Sequence, residues 1–338
     1  MKAVVLKDKR KMGDPIAPIY YEDVDIPKPG AGEVLIRLRN ASLNRRDVFV
    51  RYGAYPGIEV PAIMGSDGAG TIEEIGEGVT GFEIGDEVVI NPAMDWGDDI
   101  AHQGPNYSSL GVPIDGTHAE YIKITAENVF PKPKHLNWEE AAALPLAGLT
   151  TYRAVVTKGE VKEGDTVIIP GIGGGAASFA MQFAVARGAK VYVTSSSDEK
   201  IADAISRGAA GGVNYKNENW AKELKQMTGG ADVSIDTIGG ETFNDLVYLA
   251  KKASKIVSFG ATTGPVNNLV MPRIFFKQMQ VLGTMMGSPQ EFADMLKFYE
   301  EHELRPVIDK VYPLEEIETA YDHMENGDVR GKIVLSIP

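Results

Sequence analysis

The sequence predicts an α/β fold in two parts. A β-rich domain of barrel or sandwich type comes first, and a doubly wound parallel sheet is inserted between it and the C-terminal segment. Three observations predict this. Between Thr166 and Lys200 the apolar run Val167-Ile168-Ile169-Pro170 is followed by Gly171, Gly173, Gly174 and Gly175. Apolar residues at helical spacing come next (Phe179, Met181, Phe183, Ala184, Ala186), then Gly188 and a second apolar run, Val191–Val193. Strand, glycine turn, helix and strand make one βαβ unit with a right-handed connection. Beyond Trp138 apolar runs keep alternating with helical patterns, the arrangement that a parallel sheet requires. Before that point the runs are short and punctuated by Pro29-Gly30-Ala31-Gly32, Gly76-Glu77-Gly78 and Gly81, as in a barrel or sandwich.

Taken in order, the first part predicts strands at Ala3–Leu6, Val34–Leu38, Gly68–Ile75 and Asp86–Asn91. The second predicts six, at Thr166–Ile169, Lys190–Thr194, Gly212–Tyr215, Val233–Asp236, Lys255–Phe259 and Gln280–Gly283. Helices fall between them around Asp198–Ser206, Trp220–Thr228 and Thr242–Lys251. A further helix over Ser288–Glu303 places Phe292, Met295, Leu296 and Tyr299 on one face. The tail Gly331–Ile337 reads as a strand with no helix after it, expected to return to the N-terminal β region.

The glycines after the first inserted strand have a physical purpose. A helix N-terminus presents free N–H groups and the positive end of the dipole, which suits a pyrophosphate. Glycine lets the backbone approach the phosphate and lets helix pack on strand. Two registers fit: Gly171-x-Gly173-x-x-Ala176, or Gly174, Gly175 and Ala177. The competing reading is an ordinary loop, and the position between strand and helix favours a nucleotide site.

Composition narrows the function classes. The chain has 338 residues, is 43% hydrophobic and 24% charged, and carries a net charge of −13. These values suit a two-domain globular protein and argue against nucleic acid or an anionic membrane surface as a partner. The absence of cysteine removes disulfides and thiolate metal sites and is consistent with a reducing cytoplasm, the expected location. The N-terminus lacks the apolar run of a signal peptide, and no run approaches membrane-spanning length.

Several motifs occur in a fixed order: Asn44-x-x-Asp47, Tyr55-Pro56, Gly65-Ser66-Asp67-Gly68-Ala69-Gly70, Gly76-Glu77-Gly78-Val79, Gly85-Asp86-x-Val88 and Gly116-Thr117-x-Ala119-Glu120-Tyr121. Ala147-Gly148-Leu149-Thr150-x-Tyr152, the glycine turn and Gly331-Lys332 follow. Over essentially its whole length the chain resembles the medium-chain dehydrogenase/reductase superfamily, most of all its zinc-free quinone-oxidoreductase and alcohol-dehydrogenase-like branches. The resemblance implies a GroES-like β-barrel domain at residues 1–126 and 287–338 with a Rossmann domain at 127–286. It further implies that substrate and nicotinamide meet in a cleft. A homodimer or homotetramer paired through the last Rossmann strand is also implied.

Zinc-dependent members hold the metal with a cysteine, a histidine and a third cysteine, histidine or glutamate. Here those positions match Asn44, Ser66 and the stretch Leu146-Ala147-Gly148, none of them a zinc donor. The counterpart of the structural zinc loop, Asn91–Gly111, lacks its cysteines. Asp95, Asp98, Asp99 and His102 are read as a solvated acidic loop. His118, His135, His302 and His323 show no ligand spacing and are read as surface or structural. No Ser/His/Asp hydrolase motif is present. No metal is expected.

For the cofactor, the end of the second Rossmann strand reads Thr194-Ser195-Ser196-Ser197, where NAD-binding units usually carry an acid. Hydroxyls there accept a 2′-phosphate, and Lys200 adds positive charge. The resemblance assigns Lys200 and Tyr215 to the adenosine phosphate, Arg330 to the cofactor, and Thr150, Gly260 and Ala261 to the nicotinamide pocket, with Gly174, Gly175, Ala177, Ser195 and Ser196 completing an NADP(H) site. The competing roles are surface charges for Lys200 and Arg330, and strand packing for Tyr215. Asp198 and Glu199 start the next helix.

Without a Lewis acid, hydride transfer calls for an acceptor that is already electrophilic, namely a quinone, enone or other activated carbonyl, and for hydrogen bonds to its oxygen. By the resemblance, Asn44 and Tyr55 are candidate donors; a turn-forming or cofactor-ordering amide is the competing role for Asn44, and loop packing for Tyr55. Asp47 is read as structural, and Arg45 and Arg46 as surface charges. Met285 and Met286 read either as an adaptable apolar wall of the substrate site or as core packing. A non-catalytic dinucleotide-binding sensor or structural protein is the alternative from another class, and a zinc alcohol dehydrogenase is opposed by the missing ligands.

Overall fold

The structure, a computed structural model, describes residues 1–338. The chain forms two compact units, Met1–Ala147 with Gly287–Pro338, and Gly148–Met286. The first unit begins with ten strands: β1 (Lys2–Leu6), β2 (Ile19–Asp23), β3 (Glu33–Ser42), β4 (Ala62–Ile63), β5 (Asp67–Ile75), β6 (Glu87–Ile90), β7 (Ala93–Met94), β8 (Ser108–Ser109), β9 (Tyr121–Thr125) and β10 (Val129–Pro131). β3 organises them. It pairs antiparallel with β5 along one edge, ending at Ser42 opposite Asp67, and with β9 along Glu33–Arg37. β1 pairs with β2 and β4 in a smaller sheet. Val34, Ile36, Leu38, Ile72, Val88, Ile90 and Ile124 fill the core between them. Directly after β3 comes the short helix Arg45–Arg51, and the Asp47 carboxylate at its third position accepts the Asn44 N–H at 2.8 Å.

The second unit is a six-stranded sheet: β11 (Thr166–Ile169), β12 (Lys190–Ser195), β13 (Gly211–Asn214), β14 (Ala231–Asp236), β15 (Ala250–Ser258) and β16 (Gln280–Gly283). All pairings are parallel, in the order β13-β12-β11-β14-β15-β16. The strand order reverses between β11 and β14, and in open α/β sheets ligands bind outside the carboxyl ends of the strands at that switch point. β11 is buried on both faces, which explains why it reads as an uninterrupted apolar run. Helices Gly175–Ala186, Asp198–Ser206, Trp220–Thr228 and Thr242–Leu249 connect the strands.

The chain then returns to the first unit. Pro289–Glu301 is helical, capped by the Ser288 hydroxyl, which accepts the Glu291 N–H at 3.2 Å. β17 (Ile308–Pro313) and β18 (Lys332–Ser336) follow, and β18 pairs antiparallel with β3, Val334 opposite Ser42. The tail thus returns to the N-terminal β region as its pattern predicted.

Several boundaries differ from expectation. β15 starts at Ala250 rather than Lys255, and the preceding helix stops at Leu249 rather than Lys251. The cause is a register break: Ala231 pairs with Ala250 but Val233 with Lys255, and Ala253 between them has φ +57°. Lys251 and Lys252 imitate a polar helix face. The first unit also extends to Ala147, into the helix Pro145–Tyr152, rather than ending at residue 126. Residues beyond 126 are held there by β10 on β6, by the Asn128 amide donating to the Asn91 and Ala93 carbonyls at 2.9 and 3.0 Å, and by the Leu146 N–H on Asp67 at 2.7 Å. No helix is long and apolar enough to cross a membrane.

Candidate active site

In the second unit most of the predicted cofactor residues lie on the loops and helix starts that follow the strands, while Thr150 lies in the helix Pro145–Tyr152 before β11. The glycine turn after β11 is tied to β12, with the Ile172 N–H on the Thr194 carbonyl at 2.8 Å and the Gly171 N–H near the Thr194 hydroxyl at 3.3 Å. Gly173 has φ +138°, and a Cβ there would lie 2.9 Å from Lys200 Cδ. The Lys200 side chain therefore lies across the turn. Gly174 is the N-cap of Gly175–Ala186, is exposed, and has no atom within 4 Å of the position a Cβ would take. No side chain caps that helix, which leaves the N–H groups of its first turn, around Gly175 to Ala177, without a side-chain acceptor, an arrangement that suits an anion.

β12 ends at buried Ser195, whose hydroxyl accepts the Ser197 N–H at 3.2 Å. The Asn214 amide braces the half-buried Ser196, reaching its carbonyl at 3.4 Å and the Asp198 carboxylate at 2.9 Å. Tyr215 follows β13, donates its N–H to the Ser195 carbonyl at 3.0 Å and keeps its ring 45% exposed. Asp198 and Glu199 occupy the first turn of the next helix, as expected. The end of β12 thus offers hydroxyls and a nearby ammonium, with one of the two acids that follow, Asp198, engaged by Asn214.

Further along the row, a Cβ on Gly260 would overlap the Thr237 carbonyl, while Ala261 is exposed. The loop after β14 is organised by Asp236, which the sequence did not single out. One carboxylate oxygen accepts the Ile238 and Gly239 N–H groups at 3.1 and 2.9 Å, and the other the Ser258 hydroxyl at 2.7 Å. Thr150 is buried, with its hydroxyl 3.8 Å from Met286 sulfur, and Met286 is itself 6% exposed with φ +39°. Met286 is therefore packed; Met285 is half-buried.

The candidate catalytic residues lie in the first unit, within a buried polar cluster. Asn44 is 6% exposed, and its Nδ2 donates to Asp67 at 2.9 Å. Lys332, 4% exposed, donates to Asn44 Oδ1 at 2.7 Å, to Asp67 Oδ2 at 2.9 Å and to the Leu43 carbonyl at 2.8 Å. Asp67 also accepts the Ser42 hydroxyl at 2.9 Å and the Leu146 N–H at 2.7 Å. Strand pairing explains the meeting: β3 delivers Ser42 and Asn44, β5 opens on Asp67, and β18 on Lys332.

Arg46 corrects the sequence reading. It is 8% exposed rather than a surface charge. Its guanidinium donates to the Ser66 hydroxyl at 2.8 Å and to the Leu110 and Val112 carbonyls at 2.8 and 2.7 Å, and it lies 4.7 Å from the centre of the Tyr55 ring. Tyr55 is half-buried beneath it. Arg45 is exposed as expected. Arg330 pairs with Asp328 at 3.6 Å near the surface.

Two titratable groups are displaced. Burial pushes the Asp47 carboxyl up to about 6, with Arg46 and the Asn44 N–H opposing and Asp67 adding to the rise. Burial pushes His118 down to about 4, aided by the Lys332 charge. The Ser42 backbone opposes the shift by more than Lys332 adds to it, though neither ring nitrogen finds a well-formed hydrogen bond. His118 is pressed against Gly65, where a Cβ would collide with its ring.

No group of three or more His, Cys, Asp or Glu side chains is placed to hold a metal ion. Asp99 and His102 lie 3.5 Å apart on the solvated loop, 59% and 69% exposed. At the positions matching zinc ligands, the Asn44 oxygen is taken by Lys332, the Ser66 hydroxyl by Arg46, and Leu146 contributes only its backbone.

Comparison with known proteins gives two family matches: an alcohol dehydrogenase GroES-like domain over residues 30–134 and a zinc-binding dehydrogenase domain over residues 175–301. The chain is 37% identical to the zinc-type alcohol dehydrogenase-like protein YogA of Leptosphaeria maculans, covering 99% of each chain. It is 31% identical to the acryloyl-coenzyme A reductase of Sulfurisphaera tokodaii, again covering 99% of each. Among solved structures, an NAD-dependent alcohol dehydrogenase superposes with a TM-score of 0.93 at 37% identity, covering 100% of both chains.

Proposed function

The chain belongs to the medium-chain dehydrogenase/reductase superfamily and is an oxidoreductase of its alcohol-dehydrogenase-like kind, and from that premise we propose NADPH-dependent hydride transfer, without zinc, to an activated acceptor such as a quinone, enone or activated carbonyl. The observation that carries the proposal is the Lys332–Asn44–Asp67 arrangement. Zinc needs imidazole, thiolate or carboxylate donors. Of the residues at the ligand positions, one is an amide whose oxygen already accepts an ammonium and one a hydroxyl bonded to a guanidinium. This donor set does not fit zinc.

The second unit fits a dinucleotide. The open space at Gly174, the uncapped helix start and Lys200 across the turn suit a pyrophosphate. Ser195, Ser196 and Lys200, with Tyr215 alongside, suit a 2′-phosphate, which a carboxylate at the end of β12 would repel. Thr150, Gly260 and Ala261 line the nicotinamide end in this reading. When bound, NADPH supplies the hydride.

The chain's own work is then to hold the acceptor and stabilise charge on its oxygen. The Asn44 amide keeps a second Nδ2 hydrogen beyond the one given to Asp67, and in the absence of a Lewis acid that donor and the Tyr55 hydroxyl receive the developing negative charge. Such help suffices for acceptors that are electrophilic on their own. A relative named for reducing acryloyl-coenzyme A, an α,β-unsaturated thioester, supports that class.

The test is NADPH consumption with 1,4-naphthoquinone and 2-cyclohexenone, ethanol with NADP⁺, and elemental analysis of the purified protein. The two activated acceptors are expected to turn over and ethanol to stay near background. Efficient ethanol oxidation abolished by a chelator would overturn the proposal. Reduction of the enone at carbon–carbon rather than carbonyl, read from product mass and spectrum, assigns the reaction to ene reduction within the same class.

A further inference from the structure

We propose that Lys332 and Asp67 are positioning residues that fix the orientation of the Asn44 amide, so that a single uncommitted Nδ2–H is presented to the acceptor oxygen; this rests on the reading of Asn44 given above. An asparagine amide has nearly the same shape either way round, and its hydrogen-bond partners decide which end points where. Here they decide it completely. The Oδ1 faces an ammonium at 2.7 Å, and the Nδ2 faces a carboxylate oxygen at 2.9 Å. A flipped amide would set two donors against each other at Lys332 and two acceptors against each other at Asp67, in surroundings where all three side chains are less than 9% exposed.

The same hydrogen bonds exclude a more direct role for Lys332. Its ammonium has three N–H donors, and three acceptors take them: the Leu43 carbonyl, Asn44 and Asp67. No hydrogen remains for a substrate. Asp67 is equally engaged, taking Lys332, Asn44 and Ser42 on one oxygen and the Leu146 N–H on the other. Only the amide between them has a donor to spare. The arrangement joins residues 288 positions apart in the chain, and β18 beside β3 is what closes it.

The experiment has one readout independent of turnover. In protein labelled with ¹⁵N-asparagine, Asn44→Asp identifies the Asn44 side-chain signals by their disappearance. One Nδ2 proton is expected downfield and slow to exchange, the other not. Lys332→Met should erase that difference and Lys332→Arg should keep it. With NADPH and 1,4-naphthoquinone, Lys332→Met should lower kcat about 100-fold or more, the scale of losing one oxyanion donor. The KM for NADPH should stay within about twofold, as a lost transition-state contact requires, and Lys332→Arg should restore most of kcat. Unchanged amide signals in Lys332→Met overturn the proposal whatever the turnover, as does loss of the difference with kcat unaltered. A wild-type protein with the expected signals, erased in Lys332→Met, that reduces no acceptor leaves the orientation standing and sinks the proposed function instead. If Lys332→Met does not fold, Lys332→Met/Asp67→Asn, which removes both charges together, is read by the same criteria.

Discussion

Replacing Asp47 with asparagine tests the electrostatics of the buried cluster in the first unit. Asp47 has no exposed surface, one oxygen bound to the Asn44 N–H and the other without a hydrogen bond, 3.7 Å from the Arg46 guanidinium. Its carboxyl is raised from 3.8 to about 6, burial outweighing the nearby Arg46. The folded state therefore holds this proton more tightly than the unfolded state, and stability from this group falls as pH rises through the window from about 4 to 6. At 1.36 kcal/mol per pH unit, ionised Asp47 costs roughly 3 kcal/mol at neutral pH. Asparagine carries no such cost, and its amide oxygen can still accept the Asn44 N–H. His118 works in the opposite sense. Its folded value of about 4 lies below the ordinary 6.5, so stability is lost as pH falls through that interval. In the wild type the two effects partly cancel and the profile between pH 4 and 6 is shallow. In Asp47→Asn the His118 slope is uncovered. The assay is urea unfolding from pH 4 to 8, followed by the fluorescence of Trp96 and Trp138 in the first unit. The variant should gain roughly 3 kcal/mol on the wild type between the acid and neutral ends. Parallel profiles would refute the displaced carboxyl.

Three further outcomes are expected. Lys200→Ala should weaken NADPH binding about tenfold or more, the worth of a charge-assisted bond to phosphate, and leave NADH nearly unaffected; equal losses by calorimetry would remove Lys200 from the 2′-phosphate site. Gly174→Ala meets no protein atom within 4 Å, so its thermal midpoint should match the wild type while NADPH affinity drops about tenfold or more because the methyl occupies phosphate space; unchanged affinity would place the pyrophosphate elsewhere. Val281 lies 47% exposed on β16, which pairs only with β15 and leaves its outer edge open. We propose that a second copy covers that edge, so sedimentation should show a dimer that Val281→Arg converts to monomer, and a monomeric wild type contradicts it.

What was legible in the sequence follows from how local each signal is. The strands of the second unit are buried in a parallel sheet, and burial writes itself as unbroken apolar runs such as Val167–Ile169. Ser195, Ser196 and Lys200 stand out as candidates because the fold fixes their distance from the glycine turn within one βαβ unit. Asn44 and Asp47 were found by their motif, although the motif gave no sign of what surrounds them. Arg46 was misread because arginine is usually solvent-exposed; only the carbonyls of residues 110 to 112, brought in by a distant loop, make its burial affordable. Asp236 gave no signal because its partners are backbone N–H groups and a serine on the next strand. Lys332 was noted as half of a Gly-Lys pair, but its partners lie 265 and 288 positions away, and no periodicity records such a meeting.

The cluster also shows why missing ligands understate the change at the proposed zinc-free centre. Asn44 and Ser66 stand where zinc-dependent relatives are expected to carry cysteine and histidine, and each is bonded to a side-chain cation of its own, Lys332 and Arg46. Those cations are not spare. Arg46 holds the loop at Leu110–Val112 against the start of the helix Arg45–Arg51, and Lys332 joins β18 to the ends of β3 and β5. Stripping either from the core to make room for a metal would leave buried carbonyls and a buried carboxylate unpaired, which costs more than the bonds were worth. Restoring cysteine and histidine at positions 44 and 66 would therefore return the ligand types but set them beside two fixed positive charges. In the proposed function the metal-free character is carried by the packing around Lys332 and Arg46, and the Asn44 amide keeps a hydrogen to give.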